Sequence, residues 1–266
     1  MEAAAMRVIF LGVGEAFDEH LANTSLLAMP DSLDSDAVLL DCGFTAAAAF
    51  YLHAPAGLRA DGLSAIAITH LHGDHFLGLP WLLHRLGEDG RTTRLTILGP
   101  DGAADAVPAA YELAYPGSYA KLPFPIVYTR SAPGVQLDMD QWRFRFAPSR
   151  HGLLNLAIRL EREGKVLCYS GDGAPSPESA TLAKGADLLA QESYFLDIGS
   201  DPDGVTGHGS VERSIELARQ ARAHRLALVH IARSVRHGRY DEIERMLNTA
   251  GDVHAFAPQP GCMCRI

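Results

Sequence analysis

Short apolar runs separated by turn residues dominate the first third of the chain. Arg7–Leu11 reads as a strand followed by a glycine loop, GVGEAFDEH. TSLLAM, ending at Pro30, and AVLLDCG read as further strands on either side of a polar turn, DSLDSD. Runs of this length bounded by turn formers are the pattern of buried strands. TAAAAFYLH predicts a helix with Thr45 near its N-cap, LSAIAITH a strand ending in a histidine, and LPWLLHRL a short helix with Pro80 in its first turn. LTILGP predicts a strand, DGAADAVPAAYELAY a helix interrupted at Pro108, and Tyr115–Pro133, rich in proline and aromatic residues, a loop.

From Val135 the pattern changes to consecutive strands: VQLDM, WRFRFAP, LAIRLE and KVLCYS, the last two joined by a turn in EREGK. WRFRF alternates apolar and charged residues, so one face should be wet. The final third alternates helix and strand: PESATLAKG, DLLAQES, SVERSIELARQARAH, LALVHI, YDEIERMLNTAG and VHAFAP. No repeat or low-complexity linker breaks the chain. Strands followed by helices in each half predict two sheets packed face to face with helices outside, of the α/β class, forming one domain over residues 1–266.

The composition fits a soluble protein with a sizeable core: 266 residues, 47% hydrophobic, 21% charged. The absence of a long apolar run argues against a membrane span, and MEAAAMRVIF lacks the marks of a secretory signal. A net charge of −9 argues against a protein built chiefly to grip nucleic-acid phosphates. Four cysteines make a weak case for disulfides, so a cytoplasmic protein with reduced thiols is expected, and Cys262-Met263-Cys264 reads as a tail.

The candidate chemistry begins in AITHLHGDH. His70, His72, Asp74 and His75 fall within six positions just after a buried strand, with Gly73 permitting a sharp turn. Imidazole nitrogen and carboxylate oxygen suit Zn²⁺ and similar divalent ions, and one such loop serves two neighbouring positions. His151, Asp172 and His230 repeat the pattern of an apolar run followed by a ligand-type residue.

With Asp41 in LLDCG and Asp172 in YSGDG, ITHLHGDHFLGLP resembles the motif set of the metallo-β-lactamase-fold hydrolases. GVGEAF, NTSLLAM, QESYF and GHGSVERSIELARQA bring the likeness to the ribonuclease Z-like branch. The resemblance implies a four-layer αββα sandwich with two divalent metal ions at one rim, zinc first, with manganese or iron as alternatives. His70, His72 and His151 would hold one ion, Asp74, His75 and His230 the other, and Asp172 would bridge them, with Asp41 orienting ligands. Asp74, His208 and Glu192 are the catalytic candidates: His208, flanked by Gly207 and Gly209, would protonate or stabilise the leaving oxygen, and Glu192 would orient it.

The chain departs from that branch in ways that matter for substrate. The tRNA-gripping arm of ribonuclease Z typically lies between the positions of His151 and Asp172, where LAIRLEREGKVLCYS fills the interval. Ala22 precedes Asn23 where a basic residue is usual, and Ala232 stands where serine is typical. These departures and the acidic charge favour a phosphodiesterase acting on a small-molecule phosphodiester over tRNA 3′ processing. Hydrolysis of a sulfate ester, lactone or thioester, and a metal-binding scaffold without turnover, are the other readings. Homodimerisation is common in the branch. Phe17, Phe76 and Tyr194 are candidates for an apolar substrate wall, and Arg150 and Arg233 for contact with an anion.

Overall fold

The computed structural model describes residues 6–31, 35–201, 205–251 and 253–266. The N-terminal MEAAA and the centre of the DSLDSD turn lie outside them. The chain forms two compact units, neither continuous in sequence: residues 1–12, 22–131 and 260–265 make the first, and 13–21, 132–259 and 266 the second.

The first unit is a seven-stranded mixed sheet. Its strands are β1 (Met6–Gly12), β2 (Ser25–Pro30), β3 (Ala37–Leu40), β4 (Leu63–Ala67), β5 (Leu95–Gly99), β6 (Ile126–Arg130) and β14 (Met263–Arg265), in the order β14-β1-β2-β3-β4-β5-β6. Pairing is antiparallel from β14 to β3 and parallel from β3 to β6. Every residue of β2 and β3 is buried, which is why they read as continuous apolar runs rather than alternating ones. The helices are α1 (Ala46–His53), α2 (Gly73–Phe76), α3 (Leu79–Glu88) and α4 (Ala103–Ala114). In α3 the buried residues Leu79, Leu82, Leu83 and Leu86 follow the helical period, and they join Ile66, Leu39 and Val107 in one core.

The second unit is also a seven-stranded mixed sheet: β7 (Gln136–Met139), β8 (Trp142–Ser149), β9 (Asn155–Arg162), β10 (Lys165–Tyr169), β11 (Leu188–Glu192), β12 (Arg225–Val229) and β13 (His254–Phe256), in the order β13-β12-β11-β10-β9-β8-β7. β7 to β10 pair antiparallel and β10 to β13 parallel. The wet face expected for WRFRF is present: Trp142, Phe144 and Phe146 are buried while Arg143 and Arg145 are exposed. Glu163 and Gly164 turn the β9–β10 hairpin with φ of 49° and 78°, the two left-handed residues of a primed turn. The helices are α5 (Pro177–Leu182), α6 (Val211–Ala221), α7 (Arg233–Gly238) and α8 (Tyr240–Asn248). Ser176 caps α5 through a capping box with Ser179, and Ser210 accepts from the Arg213 amide at the start of α6.

Several boundaries differ from the sequence reading. β4 stops at Ala67, so His70 lies beyond the strand rather than ending it. Pro108 is accommodated within α4. β6 lies in the stretch read as loop, its IVYTR flanked by the prolines that hid it. The read-as-tail cysteines belong to the end of the chain that pairs with β1, and α7 was not anticipated at all. Among the described residues no helix is long and apolar enough to cross a membrane.

Candidate metal centre

In the first unit the carboxyl ends of two parallel strands set the geometry. β3 and β4 lie side by side with Leu40 opposite Ala67, so the residues that follow them leave the sheet together. Outside the carboxyl ends of parallel strands is where α/β sheets present functional groups. Asp41 follows β3 with φ of 58°, a left-handed conformation, and its amide donates to the Ala67 carbonyl at 2.9 Å. Its fully buried carboxylate accepts from the Thr69 amide (2.8 Å), the Thr69 hydroxyl (2.8 Å) and His75 Nδ1 (2.7 Å). Thr69 therefore ties Asp41 to the segment carrying His70, a role the sequence reading did not assign.

The HLHGDH segment turns directly into α2. The ring centroids of His70 and His72 are 4.7 Å apart and those of His70 and His75 4.3 Å. His70 and His72 offer ligand atoms within 4.8 Å of each other, as do Asp74 and His75. Burial alone would lower the His75 pKa, but the carboxylates of Asp41 and Asp74 outweigh it and hold the pKa well above the ordinary value. Gly73 does not have the left-handed backbone expected of a sharp turn. Its need is spatial: a Cβ would lie 2.4 Å from the Phe44 ring. Gly43 is under tighter constraint, since a Cβ there would sit 1.8 Å from the Asp74 carbonyl oxygen.

In the second unit β10, β11 and β12 are parallel neighbours, and Asp172, Glu192 and His230 stand at or just past their carboxyl ends. Ligand atoms of these three residues lie within 4.8 Å of one another, and so do those of His151 and Asp172. His151 follows β8, and the Arg150 and Ala174 backbones exchange hydrogen bonds of 2.9 and 3.0 Å that bring it beside the Asp172 turn. Gly207 has φ of 75°, and a Cβ on it would meet His151 Cα at 2.9 Å. Asn155 supports the same turn: its side chain donates to the Ser170 carbonyl at 2.7 Å and accepts from the Asp172 amide at 3.3 Å. His230 has a left-handed backbone, φ 52°, and its amide donates to the Val13 carbonyl at 3.0 Å.

His208 is fixed at one ring nitrogen. Nδ1 lies 2.9 Å from Asp172 Oδ1 and 3.1 Å from Glu192 Oε1. Glu192 is fully buried and also accepts from the Gly209 amide (2.8 Å) and the Tyr194 amide (3.2 Å). Burial opposes the charged imidazole of His208, yet its bonds to Asp172 and then Glu192 raise its pKa from 6.5 to about 10. Tyr194 stacks on the His208 ring at 4.4 Å.

The other candidates separate. Phe76 is buried in the core of the first unit, whereas Phe17 is exposed. Arg150 donates to the Pro175 carbonyl and Arg233 to that of Phe17. His84 stacks on Tyr115 and His237 bonds Asp18. Burial pushes the Cys42 and Cys168 thiols up, which removes both as nucleophiles.

The donor chemistry fits divalent metal. Imidazoles and carboxylates, without a thiolate, suit zinc, manganese and iron. The Asp41 carboxylate on His75 Nδ1 is the arrangement that fixes the tautomer of a metal-binding histidine and leaves Nε2 as the ligand atom.

Comparison with known proteins agrees. The beta-lactamase superfamily domain profile matches residues 36–231. In structure the chain is similar to the metallo-beta-lactamase fold protein YhfI from Bacillus subtilis (TM-score 0.80, 21% identity, 99% of this chain and 100% of that one). It is also similar to the short form of human tRNase Z (TM-score 0.78, 23% identity, 98% and 99%). This chain has the metallo-β-lactamase fold and belongs to the beta-lactamase superfamily. In sequence it is 29% identical to a ribonuclease Z of Methanothermobacter thermautotrophicus, over 93% of this chain and 92% of the relative. It is a ribonuclease Z-like, metal-dependent hydrolase.

Proposed function

We propose that the protein is a phosphodiesterase with a dinuclear metal centre, acting on a small phosphodiester. The two units act as one domain in this reading, because each holds only part of the ligand set. His70, His72 and His151 would hold one ion and Asp74, His75 and His230 the other, with Asp172 bridging. The two ions, zinc in our reading, supply an acidified water and offset charge on a phosphoryl oxygen when bound. Asp41 orients His75. His208 gives its proton to the leaving oxygen, and Glu192 holds the His208 ring so that Nε2 is the atom left to do so. Asp74 is the third catalytic candidate in this reading.

The observation that carries the hydrolytic reading is His208 Nδ1 bonded to both Asp172 and Glu192, which supports a fixed acid beside a metal ligand. The β9–β10 hairpin supports a small substrate. It occupies Asn155–Tyr169 between His151 and Asp172 and closes in a two-residue turn. The alignment with the archaeal ribonuclease Z runs over 296 positions yet includes 93% of this 266-residue chain, so the relative carries several tens of residues without a counterpart here. Processing of tRNA 3′ ends is the second reading, supported by the name of that relative. Cytoplasmic residence is supported by four cysteines that form no disulfide among the described residues. A homodimer is supported by exposed apolar side chains, Leu52 and Trp81, in the first unit.

Metal-loaded protein assayed in parallel on bis-p-nitrophenyl phosphate, cyclic nucleotides, a tRNA precursor and a lactone tests these readings. Turnover of the first two without tRNA cleavage is expected. Salt-sensitive cleavage of the precursor would install the second reading, and failure on every phosphodiester would overturn both.

A further inference from the structure

The ring of Tyr194 lies on the face of His208, with centroids 4.4 Å apart and planes 23° from parallel. Phe195 meets the same imidazole edge-on at 6.4 Å and 82°. The backbone fixes this arrangement from several directions. The Tyr194 amide donates to Glu192 Oε1 (3.2 Å), its carbonyl accepts from the Ala232 amide (3.0 Å), and the Phe195 amide donates to the Gly209 carbonyl (3.0 Å). Phe195 also forms a parallel bridge with Ser210, so the segment bearing Tyr194 runs alongside the one bearing His208.

Hydrogen bonds to Asp172 and Glu192 hold Nδ1, and the Cβ–Cγ bond holds the ring at Cγ, which leaves the imidazole free to tilt about the line through these two atoms. Nε2 lies off that line and moves with the tilt. A flat surface against one face restrains that tilt, and stacked rings at this separation attract one another beyond the effect of burial. A proton donor displaced by even about 1 Å loses much of its effect.

We propose that Tyr194 is a positioning residue: its ring holds the His208 imidazole in the plane that aims Nε2 at the leaving oxygen. The inference rests on the reading of His208 as the proton donor. The ring carries the role, and the phenol hydroxyl takes no part in it.

The test compares Tyr194→Phe and Tyr194→Leu on two phosphodiesters of unequal leaving group, bis-p-nitrophenyl phosphate, which expels an aryloxide, and a 3′,5′-cyclic nucleotide, which can only expel a ribose alkoxide, with metal content measured in parallel. An aryloxide leaves without help, whereas an alkoxide needs the proton. Tyr194→Leu is expected to lower kcat for alkoxide release about tenfold, a part of what general acids contribute. The same variant should change kcat for nitrophenolate release less than about twofold, with KM and metal content held. Tyr194→Phe should match the unsubstituted protein on both. Equal losses on both leaving groups, loss of metal, or failure of Phe to restore alkoxide release would overturn the role of the ring. If His208→Ala leaves both rates unchanged, the reading of His208 fails instead.

Discussion

Asp41 Oδ2 stands 2.7 Å from His75 Nδ1 inside the first unit, where both side chains are fully buried. The carboxylate thus orients a proposed ligand without being one. Asp41→Ala should weaken divalent-metal affinity by about 10–100-fold, the usual effect of removing such a partner. Isothermal titration with zinc into metal-free protein measures this, and unchanged affinity would refute the orienting role.

Removing metal should abolish turnover while leaving a folded but less stable chain. Dialysis against a chelator is expected to reduce hydrolysis of bis-p-nitrophenyl phosphate to background, and added zinc or manganese to restore it. Saturating metal at about 100 times its dissociation constant should add about 2.7 kcal/mol of stability, visible as a higher unfolding midpoint.

His208→Ala should lower turnover of a substrate that expels an alkoxide by at least about 10²-fold with both metals retained, since general acid catalysis supplies that order of rate. Glu192→Gln should produce a smaller loss of the same kind. Paired kinetic and metal analyses decide: parallel loss of metal and rate would make His208 a ligand or a structural residue.

Gly207→Ala tests the approach of the His208 loop to His151. The left-handed φ of 75° and the 2.9 Å clearance to His151 Cα both exclude an added methyl group. A loss of about 1–3 kcal/mol is expected from the overpacking. Weaker metal binding should accompany it. Urea unfolding of the metal-free variant separates the two effects.

Asp61 offers an acid-range prediction remote from the metal ligands. The Thr93 amide, the Thr93 hydroxyl and the Thr92 amide donate to its carboxylate and hold its pKa at about 2. An unfolded aspartate titrates near about 3.9, so these bonds contribute fully above that pH and the contribution fades as pH falls toward the folded value. Asp61→Asn should therefore destabilise the protein at pH 5 and become neutral near pH 2. A difference independent of pH would contradict the assignment.

The strand ends were legible because ligand-type residues interrupt apolar runs at His70, Asp172 and His230, and burial of a strand leaves a plain trace in one dimension. Their supports were not. Thr69 and Asn155 are ordinary polar residues whose importance arises only when a backbone turn brings Asp41 or Asp172 to them. β6 escaped because prolines flank it, and β14 because three residues show no periodicity until β1 supplies a partner. The stacking of Tyr194 on His208 joins residues from separate segments, a relationship that sequence spacing does not encode.

The exchange of short segments between the units bears on any attempt to divide the polypeptide. Severing it after Ser131 would leave residues 13–21, which belong to the second unit, on the fragment that carries most of the first, and would deprive β1 of its β14 neighbour. Neither piece would inherit a whole architecture, so separate expression of the halves should give insoluble material and co-expression should be needed for recovery. Residues 13–21 and 260–265 act less as a loop and a tail than as segments lent across the sequence.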